Sequence, residues 1–134
     1  MIKPDLAIAV DVGVAYDVPS MTSEKNEGKL GNGPLAILMD ATSIAHDGLR
    51  KHIKDVAEHH NIPVQWAITP GGGTDAGSIH VANEGIPTIT IGVPLRYMHS
   101  NVSVLNIDDY INSVRLITEI VRSLNDDSYQ ALMW

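Results

Sequence analysis

The spacing of hydrophobic positions changes several times along the chain, and each change marks an element. Leu6 to Val12 (LAIAVDV) is a continuous apolar run broken only by Asp11, and its Val and Ile content suits a strand buried on both faces. Leu35 to Met39 is a second short apolar run. From Asp47 to His60 the period becomes helical, with Leu49, Ile53, Val56 and His60 on one stripe and polar residues opposite. Asn61, Ile62 and Pro63 end that helix, because proline disfavours helical backbone at the residue before it. Val64 to Thr69 is a third strand, and Thr74 or Asp75 can cap a helix running to Asn83 and closed by Gly85. Pro87 to Val93 (PTITIGV) is a fourth, β-branched strand. A last helix spans Asp108 to Leu124, capped by Asn106 or Asp108, with Ile111, Val114, Ile117 or Thr118, and Val121 as its apolar stripe.

Strands alternating with helices predict an α/β class: a layered α/β/α domain with a mostly parallel or mixed sheet. In such sheets ligands gather beyond the carboxyl ends of the strands. That rule singles out Asp11, the loop at Gly71 and the segment around His99. The stretch from Asp17 to Pro34, rich in Gly, Asn, Ser, Pro, Glu and Lys, is expected to be a long surface loop.

Composition narrows the function. The 134 residues suit one domain, and with no Phe and only 4% aromatic residues the core must be aliphatic. A formal net charge of -7 without a basic stripe argues against nucleic acid. No apolar run approaches the roughly 20 residues of a membrane span, and the N-terminus has no signal-peptide shape. The absence of cysteine removes disulfides and thiolate metal sites. A cytoplasmic protein is the expectation.

Few side chains are placed for chemistry. Asp11 sits inside an apolar run, where a carboxylate is costly unless paired, hydrogen-bonded or on a metal; capping a turn is the alternative. His99 follows the fourth strand and offers the commonest nitrogen ligand for zinc, although a lone histidine is more often a plain hydrogen-bonded residue. Gly71, Gly72 and Gly73 precede a helix, permitting positive φ and leaving amides free to face an anion or carbonyl. A tight turn would need only one or two of them. No P-loop lysine, dinucleotide fingerprint, serine elbow or His-Glu-x-x-His string is present. His52, Asp55 and His59 share a helix face that reads as solvated, Asp40 and His46 flank the start of that helix as caps, and His80 has no evident partner.

Taken in order, AIAVDV at 7–12, KLGNGPLAILMD at 29–40, PGGGTDAG at 70–77, GIPTITIGVP at 85–94 and RYMHS at 96–100 are more telling than any one alone. The chain resembles the C-terminal part of the co-catalytic metallo-aminopeptidases of metallopeptidase family 42. These are glutamyl and deblocking aminopeptidases and TET particles, some labelled endoglucanase M. The resemblance implies part of a zinc-peptidase-like catalytic domain over residues 1–134, two divalent metal ions (zinc or cobalt), peptide substrates and a homo-oligomer, dodecameric in relatives. It makes Asp11 a ligand of one metal and His99 of the other. It places Gly72, Gly73, Thr74 and Asp75 on the substrate cleft, with Arg96 and Tyr97 as further substrate-side candidates.

The same resemblance puts the remaining ligands, the bridging aspartate, the general-base glutamate and a small assembly domain upstream of the AVDV strand. A catalytic zinc needs about three protein ligands plus water, and a two-metal site needs a bridge and a base besides. Glu24 and Glu27 lie in the long loop, Glu58 and Glu119 on helices and Glu84 at a helix end, so none follows a strand as a positioned base would. The chain is therefore expected to supply part of an aminopeptidase site and to be inactive by itself. The alternative is a non-catalytic module that binds metal or peptide, or that associates through an exposed sheet edge. A carbohydrate hydrolase would need two facing carboxylates, and only Asp11 is so placed.

Overall fold

The computed structural model describes residues 2–19 and 28–133. Its strands are β1 (Ala7–Val14), β2 (Leu35–Asp40), β3 (Gln65–Thr69) and β4 (Thr88–Leu95). Its helices are α1 (Asp47–His59), α2 (Ala76–Ile79), α3 (Ile107–Ser123) and α4 (Asp126–Leu132). The four strands form one sheet in the order β1-β4-β2-β3. β1 pairs β4 in parallel, β2 pairs β3 in parallel, and β2 meets β4 antiparallel. The sheet is mixed and mostly parallel, flanked by helices, as the alternation of elements predicts. Among the described residues no helix is long and apolar enough to cross a membrane.

Side-chain alternation divides the sheet into two faces. Ala36, Ile89 and Ile91 point to one face, where they pack with Leu49, Ile53, Val56, Leu116 and Ile120 from α1 and α3. This core is aliphatic, and burying each such Leu or Ile contributes about 1.5–3 kcal/mol. The opposite face carries Leu35, Ile37 and Ala67. It is met by the single turn of α2, which packs on β1 and β4. Only a thin helical layer covers that side, and it leaves room for a cleft.

Several expectations change. β1 is an edge strand rather than one buried on both faces: Val10 is 63% exposed beside Ile91 at 1%. The helix expected from Thr74 to Asn83 shrinks to the four residues of α2. Gly85 does adopt positive φ (95°) behind it. α3 lies where expected, with the Asn106 side chain accepting the Asp108 N–H, but its stripe is different. Asp109, Ser113, Leu116 and Ile120 face the core, whereas Ile111, Val114 and Val121 are exposed. Hydrophobicity alone misled here, because the buried face contains two polar residues. Asp109 is buried to accept the N–H groups of Gly31 and Gly33, both at 2.7 Å, and the Ser113 hydroxyl donates to the Asp109 carbonyl. α4, held by an Asn125–Ser128 capping box, has no counterpart in the sequence reading. Part of the loop expected over Asp17 to Pro34, with Glu24 and Glu27, lies outside the described residues.

Candidate functional site

The strand directions decide where a site can form. Because β2 and β3 run opposite to β1 and β4, the carboxyl ends of the four strands do not share one rim. Asp11 is not at a strand end either, since β1 continues three residues past it, to Val14. What collects the candidate residues is the thinly covered sheet face. Asp11, paired in register with Gly92, points to the same side as Thr90. A cleft of about 240 Å³ opens there, lined by Asp11, Gly13, Tyr16, Asp40, residues 71–74 and His99. Both predicted ligands and most of the glycine loop therefore share one concavity.

His99 reaches the cleft from a strained turn. Tyr97 (φ 59°) and His99 (φ 64°) are both left-handed, a conformation costing on the order of 1 kcal/mol or more for a residue with a Cβ. The turn is closed at its base by paired Arg96 and Val104 backbone hydrogen bonds of 2.9 and 3.1 Å. At its tip the Ser100 hydroxyl lies 2.6 Å from the carbonyl oxygens of Tyr97 and Val102. Strain that neighbouring bonds hold in place is a feature of positions where side-chain direction matters.

Asp40 organises the other wall. A register shift between Ile37 and Met39 turns Asp40 onto the cleft face, whereas strict alternation from Ala36 would send it to the helical face. Its carboxylate accepts the Thr42 N–H and hydroxyl (2.7 and 2.8 Å), the Ser43 N–H (2.7 Å) and the Thr74 hydroxyl (2.9 Å). The Thr74 oxygen also lies 2.8 Å from that of Thr90. As the Thr74 proton is committed to Asp40, Thr90 is the donor of that bond. Burial raises the Asp40 pKa, but the donors from Thr42, Thr74 and Ser43 outweigh it and hold the carboxyl below its ordinary value. Asp40 is thus no cap of α1. His46 occupies the N-cap position without a side-chain bond, and its buried Nδ1 has no partner among the described residues.

The glycine loop works differently from expectation, because none of Gly71, Gly72 and Gly73 uses positive φ. At Gly73 a Cβ would stand 2.7 Å from Thr42 Cγ2, so close packing requires glycine there. At Gly71 and Gly72 a Cβ would meet nothing within 4 Å. Neither backbone nor packing calls for glycine at those two positions, and what it preserves is open space over the cleft. Thr74 does not cap α2, its hydroxyl being used by Asp40, and Asp75 is the N-cap residue without a side-chain bond.

Asp75, Arg96 and Tyr97 are not among the cleft's lining residues. The Arg96 guanidinium grips Asp17 in a two-point ion pair (3.0 and 2.7 Å), tying the end of β4 to the chain that follows β1. That hydrogen-bonded pair keeps the Asp17 carboxyl below its ordinary pKa. The expected solvated face of α1 is partly buried: His52 Nε2 lies 2.8 Å from the Ser123 hydroxyl. Burial lowers the His52 pKa, only partly offset by Asp55. His80 Nδ1 lies 3.0 Å from the Ala76 carbonyl.

Whether these residues suit metal ions turns on the donor set. Asp11 and His99 are the right chemistry, and among the described residues no protein hydrogen bond engages the His99 ring. One Asp11 oxygen accepts the Val12 N–H at 2.7 Å. Yet among the described residues no group of three or more His, Asp or Glu could hold an ion. The residues fit as part of a ligand set.

Comparison with known proteins agrees with this partial site. A profile of the M42 glutamyl aminopeptidases matches residues 1–116. A putative aminopeptidase of Acetivibrio thermocellus is 42% identical over 90% of this chain and 36% of its own length. A glutamyl aminopeptidase of Lactococcus lactis is 38% identical over 93% of this chain and 34% of its own. The crystal structure of a TET aminopeptidase from a marine sediment Thaumarchaeota archaeon superposes with TM-score 0.90 at 34% identity, covering 96% of this chain and 36% of that one. The chain spans about a third of the length of the relatives it matches.

Proposed function

Since the chain belongs to the M42 glutamyl aminopeptidase family, we propose that it contributes one wall and two metal ligands to a dinuclear aminopeptidase site that removes N-terminal residues from peptides. The observation that supports this reading most is the convergence of Asp11 and His99 on one cleft with the glycine loop. Each would hold one of two divalent ions, zinc or cobalt. Bound there, the ions would supply an activated water and polarise the scissile carbonyl.

The chain's own residues would do the rest of this wall's work. Gly71 and Gly72 leave space for the substrate backbone, and Gly73 lets the loop close on Thr42. Asp40 fixes that loop through Thr74, so the cleft is formed before substrate arrives. Asp75, Arg96 and Tyr97 border this wall and are assigned to the substrate side only through the loops they belong to. The general base and the bridging carboxylate belong to polypeptide beyond this third of the relatives' length.

The test is cleavage of aminoacyl p-nitroanilides by the 134-residue chain with added zinc or cobalt. Turnover at the level of metal alone is expected. Robust turnover would mean that these residues hold a complete site. A second reading, a metal- or peptide-binding module without catalysis, draws on the same two ligands and is favoured if zinc binds tightly to this chain alone.

A further inference from the structure

The surface beyond the cleft has one feature that the proposed function does not use. β1 is hydrogen-bonded only to β4, so among the described residues the other edge of its eight residues is unpaired. On the helical face, Val10 lies beside the buried Ile91 yet is itself open, because the helical layer covers β4 and stops short of β1. α3 has a matching bare side. Its first side packs into the core, and its second meets α1, where Arg115 reaches the His60 carbonyl and Glu119 lies near the His60 ring. Helical geometry puts Tyr110, Val114 and Val121 on the side away from α1, above β1, and all three are exposed. An open strand edge, the bare valines of β1 and a second apolar side of α3 thus form one trough.

We propose that this trough is a docking surface for a polypeptide segment that adds a strand to the free edge of β1 and lays an apolar helix face between β1 and α3. The occupant is the kind of chain that makes up the rest of the relatives, since this chain accounts for 36% of the Acetivibrio thermocellus protein. Exposed apolar patches beside a free strand edge are characteristic of surfaces that are covered in use. A second copy of this chain fits less well, because each copy brings a net charge of -7. Residues 20–27 (SMTSEKNE) are too polar to fill the trough.

The dock also has a consequence for the cleft. Asp11 lies on β1, so a strand paired there would set its own side chains about 5 Å away on the same face. That is where further metal ligands are needed. This completion rests on the proposed function, whereas the docking does not.

The experiment is to co-express the 134-residue chain with the unmatched portion of the Acetivibrio thermocellus protein. Stoichiometry, amide exchange over β1 and zinc affinity are then measured. A one-to-one complex is expected, with β1 amides exchanging more slowly in it. Val10→Asp and Val114→Asp, both at exposed positions, should each weaken the complex on the order of tenfold or more. Unchanged circular dichroism and melting of the two variants would tie the loss to the surface. Absence of a complex, a complex indifferent to both variants, or a homodimer formed through β1 in place of the complex would overturn the dock. A complex with no gain in zinc affinity would uphold the dock and remove the metal reading.

Discussion

The Thr74 hydroxyl donates to the Asp40 carboxylate across 2.9 Å, and this bond joins the end of β2 to a glycine loop 34 residues further on. Two loops that would otherwise move separately form one wall of the cleft. The buried carboxylate is stabilised because its donors replace the water it loses, and the loop keeps its shape because Thr42, Ser43 and Thr74 all point at the same group.

Removing that group should be costly. Asp40→Ala leaves the Thr42 and Ser43 amides without their acceptor and is expected to lower stability by about 2–3 kcal/mol, measured by urea unfolding. As the folded-state pKa of Asp40 is depressed, its contribution is present above the unfolded carboxylate pKa and lost as pH falls through the folded value. The variant should accordingly show a shallower loss of stability below about pH 4 than the parent. An unchanged acid limb would contradict this role.

Gly72 should behave oppositely. Gly72→Val meets no neighbour and needs no unusual backbone, so stability should change by no more than about 0.5 kcal/mol. In a chimera of the Acetivibrio thermocellus aminopeptidase carrying this chain as its matching third, the same change should cut kcat/KM by about 100-fold through lost space over the cleft. A chimera that tolerates valine there would remove the open-wall argument.

Arg96 separates scaffold from substrate contact. Its pair with Asp17 is partly exposed, so Arg96→Ala should cost about 1 kcal/mol or less. Arg96→Lys should recover little of this, because an ammonium cannot reproduce the two-point grip. If Arg96→Lys leaves stability intact but raises KM in the chimera, the residue belongs to the substrate side instead.

His52 sets a pH dependence near neutrality. Its folded pKa is lowered, chiefly by burial, so the unfolded chain binds more protons as pH drops below the ordinary histidine value. Stability should decline from about pH 6.5 downward until the folded value is passed. His52→Gln, keeping a partner for Ser123, should flatten that decline in thermal melts between pH 7 and 5. An identical slope in both proteins would contradict the assignment.

Much of this architecture is legible in the residue pattern, for identifiable reasons. β4 and α1 are readable because their apolar residues follow one period and bury one face. α3 is readable as a helix but not in its orientation: the buried Asp109 and Ser113 look polar, while Ile111 and Val114 look like core. Asp11 and His99 could be named from their surroundings, yet their meeting depends on strand directions that no local pattern encodes. The bulge that aims Asp40 and the left-handed backbone at Tyr97 and His99 left no sequence signal. β1 reads as fully buried because its composition suits two covered faces, and the structure shows one of them bare.

The central claim is that Asp11 and His99 each hold one ion of a metal pair, and metal content of the chimera tests it most directly. The parent chimera is expected to carry two zinc or cobalt ions per chain. Asp11→Ala and His99→Ala should each reduce this to one and abolish aminopeptidase activity. Two ions retained in either variant would contradict the account.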